Sequence, residues 1–187
     1  MTQPDEIVII SGLDLITEAD ARKYLEDEPE AAFLCGYRST CIWEGGAISF
    51  LMENGIGWGN FAALNSAYLE GGLRTAFHKV YAFSYRLIKQ YDYVINNIEL
   101  EFDRVYRVTL KNNDRLRIGL LAEYQPTADC IRSFWDTFGQ LDVIWNINPN
   151  GNPTKEAIQA GEDLGCKILK WENLKIYLKS FQRTQKT

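Results

Sequence analysis

Histidine, proline and methionine are scarce in this chain, which has one, five and two of them among its 187 residues. With His78 as the single histidine, there is little from which to build a histidine-rich metal site or a histidine-dependent catalytic triad. No run of eighteen apolar residues occurs, and a membrane-spanning helix needs such a run. The opening segment MTQPDEIVII places two acids ahead of its short apolar run, which is the wrong order for a secretion signal. We therefore expect no membrane partner.

Paired cysteine motifs are also lacking. The four cysteines, Cys35, Cys41, Cys130 and Cys166, show no CxxC spacing and are typical of scattered core residues. This pattern disfavours a zinc site and structural disulfides, and it indicates a reducing compartment. We expect a cytoplasmic protein.

Charge is unevenly distributed along the chain. Residues 1–60 carry eleven acidic and three basic side chains, a net charge of −8, whereas the whole chain has −5. From residue 166 onward, six basic side chains face only Glu172. A net negative charge argues against a broad nucleic-acid footprint but leaves room for a local one. The acidic N-terminal segment suits a basic protein partner.

The length and the 46% hydrophobic content predict one globular domain, residues 1–187. The N-terminal pattern predicts a buried strand at 7–10, a helix at 17–27 with Thr17 as its N-cap, a second strand at 31–37, and a helix at 73–91. The glycine-rich segment 44–60 is interpreted as tight turns around a short element, with a ligand loop as the alternative.

The most informative stretch is a predicted β-hairpin with strands at 99–110 and 115–125. Its even positions are apolar except Arg104, and its odd positions are mostly polar, which is typical of a half-buried strand pair. A three-residue loop with Asn113 or Asp114 in the left-handed region makes paired residue numbers sum to 226. That register predicts Asp103 opposite Glu123.

Two opposed carboxylates are destabilising unless a positive charge lies between them. A divalent metal ion would supply that charge. Arginines on the same polar face (Arg107, Arg115 and Arg117) would supply it too, and the face would then be an ordinary solvated surface.

A β-α-β-α series follows the hairpin. The pattern predicts a helix at 129–138, a strand at 142–148, a helix at 155–164 with Thr154 as N-cap, a strand at 166–171 and a final helix at 172–181. The two strands should be parallel, with a right-handed crossover between them. The loop 148–153 is typical of sharp turns, although it could also cradle a phosphate.

An acidic antiparallel hairpin followed by a helix and a β-α-β unit resembles the restriction-endonuclease-like PD-(D/E)XK nuclease superfamily, over residues 70–181. The stretch NPNGNPTKEAIQAGEDLGCKILKWENLKIYL also resembles the later half of the Mrr-like restriction nucleases. The resemblance implies an α/β fold, in which a mixed sheet combines the antiparallel hairpin with the parallel β-α-β unit. Residues 1–65 would form an acidic N-terminal α/β extension.

The resemblance also implies a metal site. It assigns Asp103 and Glu123 as ligands of Mg²⁺ or Mn²⁺ and places Gln125 at the position of the family's catalytic lysine. Independently of the resemblance, two carboxylates with a backbone carbonyl such as that of Tyr124 would form a suitable oxygen site for such an ion. A carboxylate-held Mg²⁺ lowers the pKa of bound water and screens the charge that develops on a phosphodiester. Glutamine can orient a water but carries no positive charge, so the pattern fits either an active or a degenerate member.

Three functions therefore stay open. The first is a metal-dependent nuclease that acts on DNA or RNA with Asp103, Glu123 and Gln125. The second is a non-catalytic acidic interaction protein, such as an immunity-type or regulatory partner. The third is a small-molecule binder at the carboxyl ends of parallel strands, which follows from fold analogy alone.

Overall fold

The computed structural model describes residues 5–183, and it shows a mixed α/β protein. The first four residues of the N-terminal segment and Lys186 of the basic C-terminal segment lie outside the described residues. The chain forms two compact units, Met1–Ala82 with Glu101–Asp103, and Phe83–Leu100 with Arg104–Thr187. Within residues 5–183, no helix is both long enough and apolar enough to cross a membrane.

The first unit contains a three-stranded parallel sheet in the order β1-β3-β5. Two further short strands of this unit, β2 and β4, form a separate parallel pair. The strands are β1 Ile7–Ser11, β2 Leu15–Ile16, β3 Ala31–Gly36, β4 Ile42–Trp43 and β5 Gly57–Asn60. The helices are α1 Glu18–Asp27, α2 Gly45–Glu53 and α3 Phe61–Glu70.

The predicted start of α1 is confirmed. The Thr17 hydroxyl accepts a hydrogen bond from the Asp20 backbone N–H, and the Asp20 carboxylate accepts one from the Thr17 backbone N–H. This reciprocal pair is a capping box, which satisfies donors that the first helical turn leaves unpaired.

The strands at 7–10 and 31–37 are also confirmed, but the predicted burial of the first one is wrong. β3 is the central strand and is buried along its whole length, whereas Ile7 and Ile10 of β1 are exposed. β1 pairs with β3 on one side only, so it is an edge strand of this sheet.

The interpretation of residues 44–60 as tight turns is wrong. This segment forms the nine-residue helix α2 and then β5. Its glycines allow close packing, since a Cβ on Gly57 would lie 1.9 Å from the Leu73 carbonyl oxygen. The glycines of this segment therefore lie within a helix and a strand, where the lack of a side chain lets neighbouring elements approach closely.

The helix predicted at 73–91 is divided into a 3₁₀ turn Leu73–Thr75, the helix α4 Lys79–Ile88, and a second 3₁₀ turn Lys89–Tyr91. The division has a visible cause, because the Ala76 carbonyl accepts a hydrogen bond from the Trp58 backbone N–H of β5. That bond draws Ala76 out of a helical path. α4 then begins after His78, whose Nδ1 accepts a bond from the Val80 N–H.

The second unit is built on a five-stranded sheet in the order β10-β9-β8-β7-β6. β7 and β8 are antiparallel, while β8, β9 and β10 are parallel to one another. The strands are β6 Ile95–Phe102, β7 Val105–Leu110, β8 Arg115–Leu121, β9 Val143–Asn146 and β10 Lys167–Lys170. The helices are α5 Ala128–Phe138, α6 Lys155–Asp163 and α7 Trp171–Arg183.

The predicted hairpin differs in two respects. A turn at Asp103–Arg104 divides its first strand into β6 and β7, which are neighbours in the sheet and run antiparallel because so short a turn joins them. The register of β7 with β8 pairs Tyr106 with Ile118, so paired numbers sum to 224 instead of 226. The left-handed loop residue is Asn113, as predicted, with φ 70°.

The predicted β-α-β unit is confirmed, since β9 and β10 are parallel neighbours and α6 lies between them in sequence. Thr154 caps α6 by accepting a bond from the Ala157 N–H. The sequence predicts burial of the apolar residues Ala157, Ile158 and Leu164; Ala157 is buried, Leu164 is half-buried, and Ile158 is exposed, so the prediction is wrong for Ile158. The buried face of α6 consists of small residues, because a Cβ on Gly161 would lie 2.5 Å from the Ile168 side chain.

Candidate functional site

Three parallel strands of the second unit end in line at one edge of its sheet. Leu121 at the end of β8 pairs with Asn146 at the end of β9, and Asn146 pairs with Lys170 at the end of β10. The chain segments that follow β8 and β9 therefore meet at this edge, which is the usual position for ligand sites in open α/β sheets. We call Glu123, Gln125, Asn146, Asn152 and Lys170 the polar edge.

Asn146 is the buried member of the polar edge, with 2% of its surface exposed. Its side-chain Nδ2 donates to the Glu123 carbonyl oxygen over 2.9 Å. Its Oδ1 accepts from the Asn148 backbone N–H over 3.3 Å. The side chain thus joins the segment after β8 to the loop after β9.

Gly151 brings that loop against the backbone of Glu123. A Cβ at this position would lie 2.3 Å from the Glu123 carbonyl oxygen and 2.5 Å from Asn146 Nδ2. Only glycine permits such an approach without a shift of the backbone.

Asn152 and Lys170 complete the arrangement. The Asn152 backbone N–H donates to the Tyr124 carbonyl oxygen over 2.9 Å. The Asn152 side-chain Oδ1 accepts a bond of 3.1 Å from Lys170 Nζ. The backbone carbonyls of Glu123 and Tyr124 therefore each accept a hydrogen bond from an asparagine. Asn152 also links the ammonium group of Lys170 to this segment.

Glu123 and Gln125, two of the three residues predicted from the sequence, belong to this edge. Both side chains are exposed, and both residues follow the end of β8 instead of lying within a strand as predicted. The Tyr124 carbonyl, predicted as a metal ligand, already accepts one hydrogen bond and retains its second lone pair.

Asp103, the third predicted residue, lies in the turn between β6 and β7 and belongs to the first unit. It is 9% exposed. Its Oδ1 accepts a 3.2 Å bond from the Trp43 N–H, and its own N–H donates to the Trp43 carbonyl oxygen over 2.9 Å. This carboxylate has a structural partner, which gives it a role that needs no metal.

The predicted pairing of Asp103 directly opposite Glu123 is wrong. Asp103 precedes β7 and Glu123 follows β8, so neither residue belongs to the paired part of the two strands. The physical reason is the turn at Asp103–Arg104, which interrupts the predicted strand. Arg104 is the one charged residue among the even-numbered positions of that strand.

The polar edge offers a metal ion one carboxylate, that of Glu123. Within residues 5–183, no group of three or more histidine, cysteine, aspartate or glutamate side chains could hold a metal ion. Mg²⁺ is often bound by one or two carboxylates, with water and substrate phosphates as its remaining ligands. The exposed Glu123 carboxylate suits such a site.

A cavity of about 470 Å³ lies beside the edge strand β10, away from the predicted residues. Its lining comes from α6, β10, α7 and the residues just before β9 and β10, and it includes Asp142, Ile158, Glu162, Lys167 and Tyr177. Burial, with a smaller effect of Asp142, raises the pKa of the Tyr177 hydroxyl. Neither Glu123 nor Gln125 lines this cavity.

Sequence analysis missed Asn146, Asn152 and Lys170 as site residues. The signal for Asn152 was the loop 148–153, which was interpreted mainly as sharp turns with a phosphate-binding loop as the alternative, whereas Asn146 was placed within the strand 142–148. Comparison with known proteins adds nothing to the assignment, because no family model, no curated protein and no solved structure matches the chain.

Proposed function

We propose that this protein hydrolyses phosphodiester bonds of nucleic acid with Mg²⁺ or Mn²⁺, and that the reaction takes place at the polar edge. The observation that carries the proposal is the strand order of the second unit. Strands β6, β7 and β8 form an antiparallel series, and β8, β9 and β10 continue it in parallel, with α5 and α6 as the intervening helices. The resemblance to the restriction-endonuclease-like nucleases predicts a mixed sheet with an antiparallel hairpin and a parallel β-α-β unit, and this coarser agreement supports the proposal.

The position of Glu123 supports the same proposal. In the family the resemblance points to, the acid that binds metal stands on the strand after the first hairpin turn, two residues before a water-activating residue. Here Glu123 and Gln125 follow β8 with that spacing, and both side chains are exposed to solvent. A substrate can therefore reach them.

Each side chain then has a distinct task. The Glu123 carboxylate would hold the metal ion, and the Gln125 amide would orient a water by hydrogen bonding. When bound, the ion supplies an activated water and a countercharge for the phosphate. Asp103 as a second ligand stays a prediction from the sequence.

The test is cleavage of end-labelled DNA and RNA, single- and double-stranded, during a titration with Mg²⁺ or Mn²⁺. We expect products only with metal, loss of at least about a hundredfold in rate for Glu123→Ala, and a smaller loss for Gln125→Ala. Glu156→Ala, which removes another exposed carboxylate of the second unit, is the matched control and should cleave normally. Cleavage without metal, or unchanged cleavage by Glu123→Ala, would contradict the proposal.

A second candidate function is that of an interaction protein, and helix α3 favours it. Phe61, Tyr68 and Leu69 are 57%, 61% and 73% exposed, and their spacing places them on one helical face. Clustered exposed apolar side chains often mark a protein interface. The acidic N-terminal segment would favour a basic partner.

This alternative makes a different experimental prediction. A protein partner should bind the wild-type chain, and Leu69→Asp should abolish binding without changing the free energy of unfolding, because Leu69 is exposed. Such a partner, together with absence of metal-dependent cleavage, would support the interaction function and contradict the nuclease function.

A further inference from the structure

Lys170 is the basic side chain that the fold brings to the polar edge. It is the last residue of β10, and its register partner Asn146 is the last residue of β9. Adjacent strands lie about 4.8 Å apart, so two strand spacings of about 10 Å separate the Lys170 backbone from that of Leu121. A lysine side chain can cover most of that distance.

The Lys170 side chain is turned toward the segment that carries Glu123 and Gln125. Its Nζ donates to Asn152 Oδ1 over 3.1 Å, and the Asn152 N–H donates to the Tyr124 carbonyl over 2.9 Å. Tyr124 stands between Glu123 and Gln125 in the sequence. Two hydrogen bonds thus connect the ammonium group to the backbone between the two predicted site residues.

The ammonium group has capacity for an anion. A lysine carries three N–H donors, and the bond to Asn152 uses one of them. Among the residues that the structure describes, no carboxylate forms a salt bridge with Lys170. Its charge is therefore not neutralised by an ion pair within the described chain.

A positive charge is also what the proposed site lacks. Gln125 can orient a water but cannot neutralise a phosphate oxygen. The backbone of nucleic acid carries one negative charge per nucleotide, and lysine binds phosphate as a point charge.

We propose that Lys170, held in place by Asn152, binds a backbone phosphate of the nucleic acid beside Glu123. This inference rests on the proposed function for the identity of the ligand. Lys170 is then a substrate-binding residue that supplies the positive charge Gln125 lacks, and Asn152 is its positioning residue. Lys170 reaches the site from β10 and not from the segment after β8.

The test measures binding without cleavage, in the presence of a chelator, with fluorescent single- and double-stranded DNA and RNA at several salt concentrations. Lys170→Ala should lower the affinity about tenfold at low salt, as expected for loss of one charge-assisted hydrogen bond. It should also reduce the slope of log K against log salt by about 0.9 for duplex DNA, which corresponds to one phosphate contact. Lys170→Arg should retain both properties, and Asn152→Ala should show part of the loss.

Lys179→Ala is the matched control, since it removes an exposed lysine of α7. Equal losses in Lys179→Ala and Lys170→Ala, or an unchanged slope in Lys170→Ala, would overturn the inference, and so would failure of the wild-type chain to bind any of the four nucleic acids. Inorganic phosphate, compared with chloride at equal ionic strength, is a further arm. Lys170-dependent binding of phosphate without binding of nucleic acid would overturn the assignment of the ligand.

The two proposals can fail separately. A Lys170-dependent salt slope without metal-dependent cleavage would leave the phosphate site in place and remove the nuclease function. Metal-dependent cleavage that requires Glu123, together with nucleic-acid binding that Lys170→Ala leaves unchanged, would support the nuclease function and remove the phosphate site at Lys170.

Discussion

The side chain of Asn146 donates a 2.9 Å hydrogen bond to the backbone carbonyl of Glu123, twenty-three residues earlier in the chain. Asn146 ends β9, and Glu123 lies just beyond the end of β8, so this bond fixes the path of the chain where it leaves the sheet. A buried amide that is hydrogen-bonded at both its nitrogen and its oxygen holds a single orientation. The backbone of the proposed metal ligand is thereby hydrogen-bonded to a buried residue of β9.

Replacement of Asn146 should destabilise the protein. Asn146→Ala leaves the Glu123 carbonyl and the Asn148 N–H without this partner, and we expect the free energy of unfolding to fall by about 1–3 kcal/mol. Urea denaturation measures the change. The control is Asn150→Ala in the same loop, where the side chain is exposed and little effect is expected. Equal stability of Asn146→Ala and wild type would show that the bond contributes nothing.

Gly151→Ala tests the close approach of the loop to Glu123. The new methyl group would lie 2.3 Å from the Glu123 carbonyl oxygen, so the loop must shift, at a cost of about 1–3 kcal/mol in unfolding free energy. Gly12→Ala is the matched control, because a Cβ there meets nothing within 4 Å. It should be neutral or stabilise by about 0.4–1 kcal/mol. Thermal melting should therefore show a lower midpoint for Gly151→Ala and an equal or higher midpoint for Gly12→Ala than for wild type. Identical melting curves of the two variants would refute the packing argument.

Substitutions at Asp103 separate its structural role from the predicted metal role. Asp103→Ala removes the acceptor for the Trp43 N–H and should lower the unfolding free energy by about 1–3 kcal/mol. Asp103→Asn keeps an oxygen that can accept that bond, so it should destabilise less. If Asp103 binds the metal, both variants should lose cleavage. Normal metal-dependent cleavage by a folded Asp103→Asn would remove Asp103 from the ligand set.

Alkaline pH should destabilise the fold through Cys166. Burial raises the pKa of its thiol from 9.0 to about 12. The unfolded chain then releases this proton at lower pH than the folded chain, so the stabilisation is fully present below pH 9 and is lost as pH rises toward about 12.

Urea denaturation at pH 8 and pH 10 checks this dependence. Cys166→Ala should show a smaller loss of stability between the two pH values than wild type. Cys130→Ala, which removes a half-exposed thiol, should keep the wild-type dependence. The same dependence in all three proteins would show that other groups cause the alkaline loss.

Gln125→Lys links the two proposed roles. It places an ammonium group at the position where the resemblance implies a lysine, so it should raise the rate of metal-dependent cleavage. In the Lys170→Ala background, it should restore part of the lost cleavage, because either lysine supplies the same charge to one phosphate. Single-turnover rates of the four proteins measure this. Equal relative gains in both backgrounds would indicate that the two lysines do not share a role.

Local features of this protein were predictable from the sequence. The capping box of Thr17 and Asp20, the N-cap at Thr154 and the left-handed Asn113 each depend on residues within a few positions of one another. The parallel pairing of β9 and β10 was also predictable, because a strand-helix-strand sequence of this length leaves few alternatives.

Register, burial and the composition of the polar edge were decided by tertiary structure. The bond from Trp43 to Asp103 joins residues sixty positions apart and lies at the turn that divides the predicted strand. The chain from Lys170 through Asn152 to Tyr124 likewise brings together three separate segments. Sequence periodicity records which face of an element is apolar, but it holds no information on which distant backbone group will satisfy a given donor. That choice is made only when the strands pack, because the free energy of such bonds depends on excluding water from both partners at once.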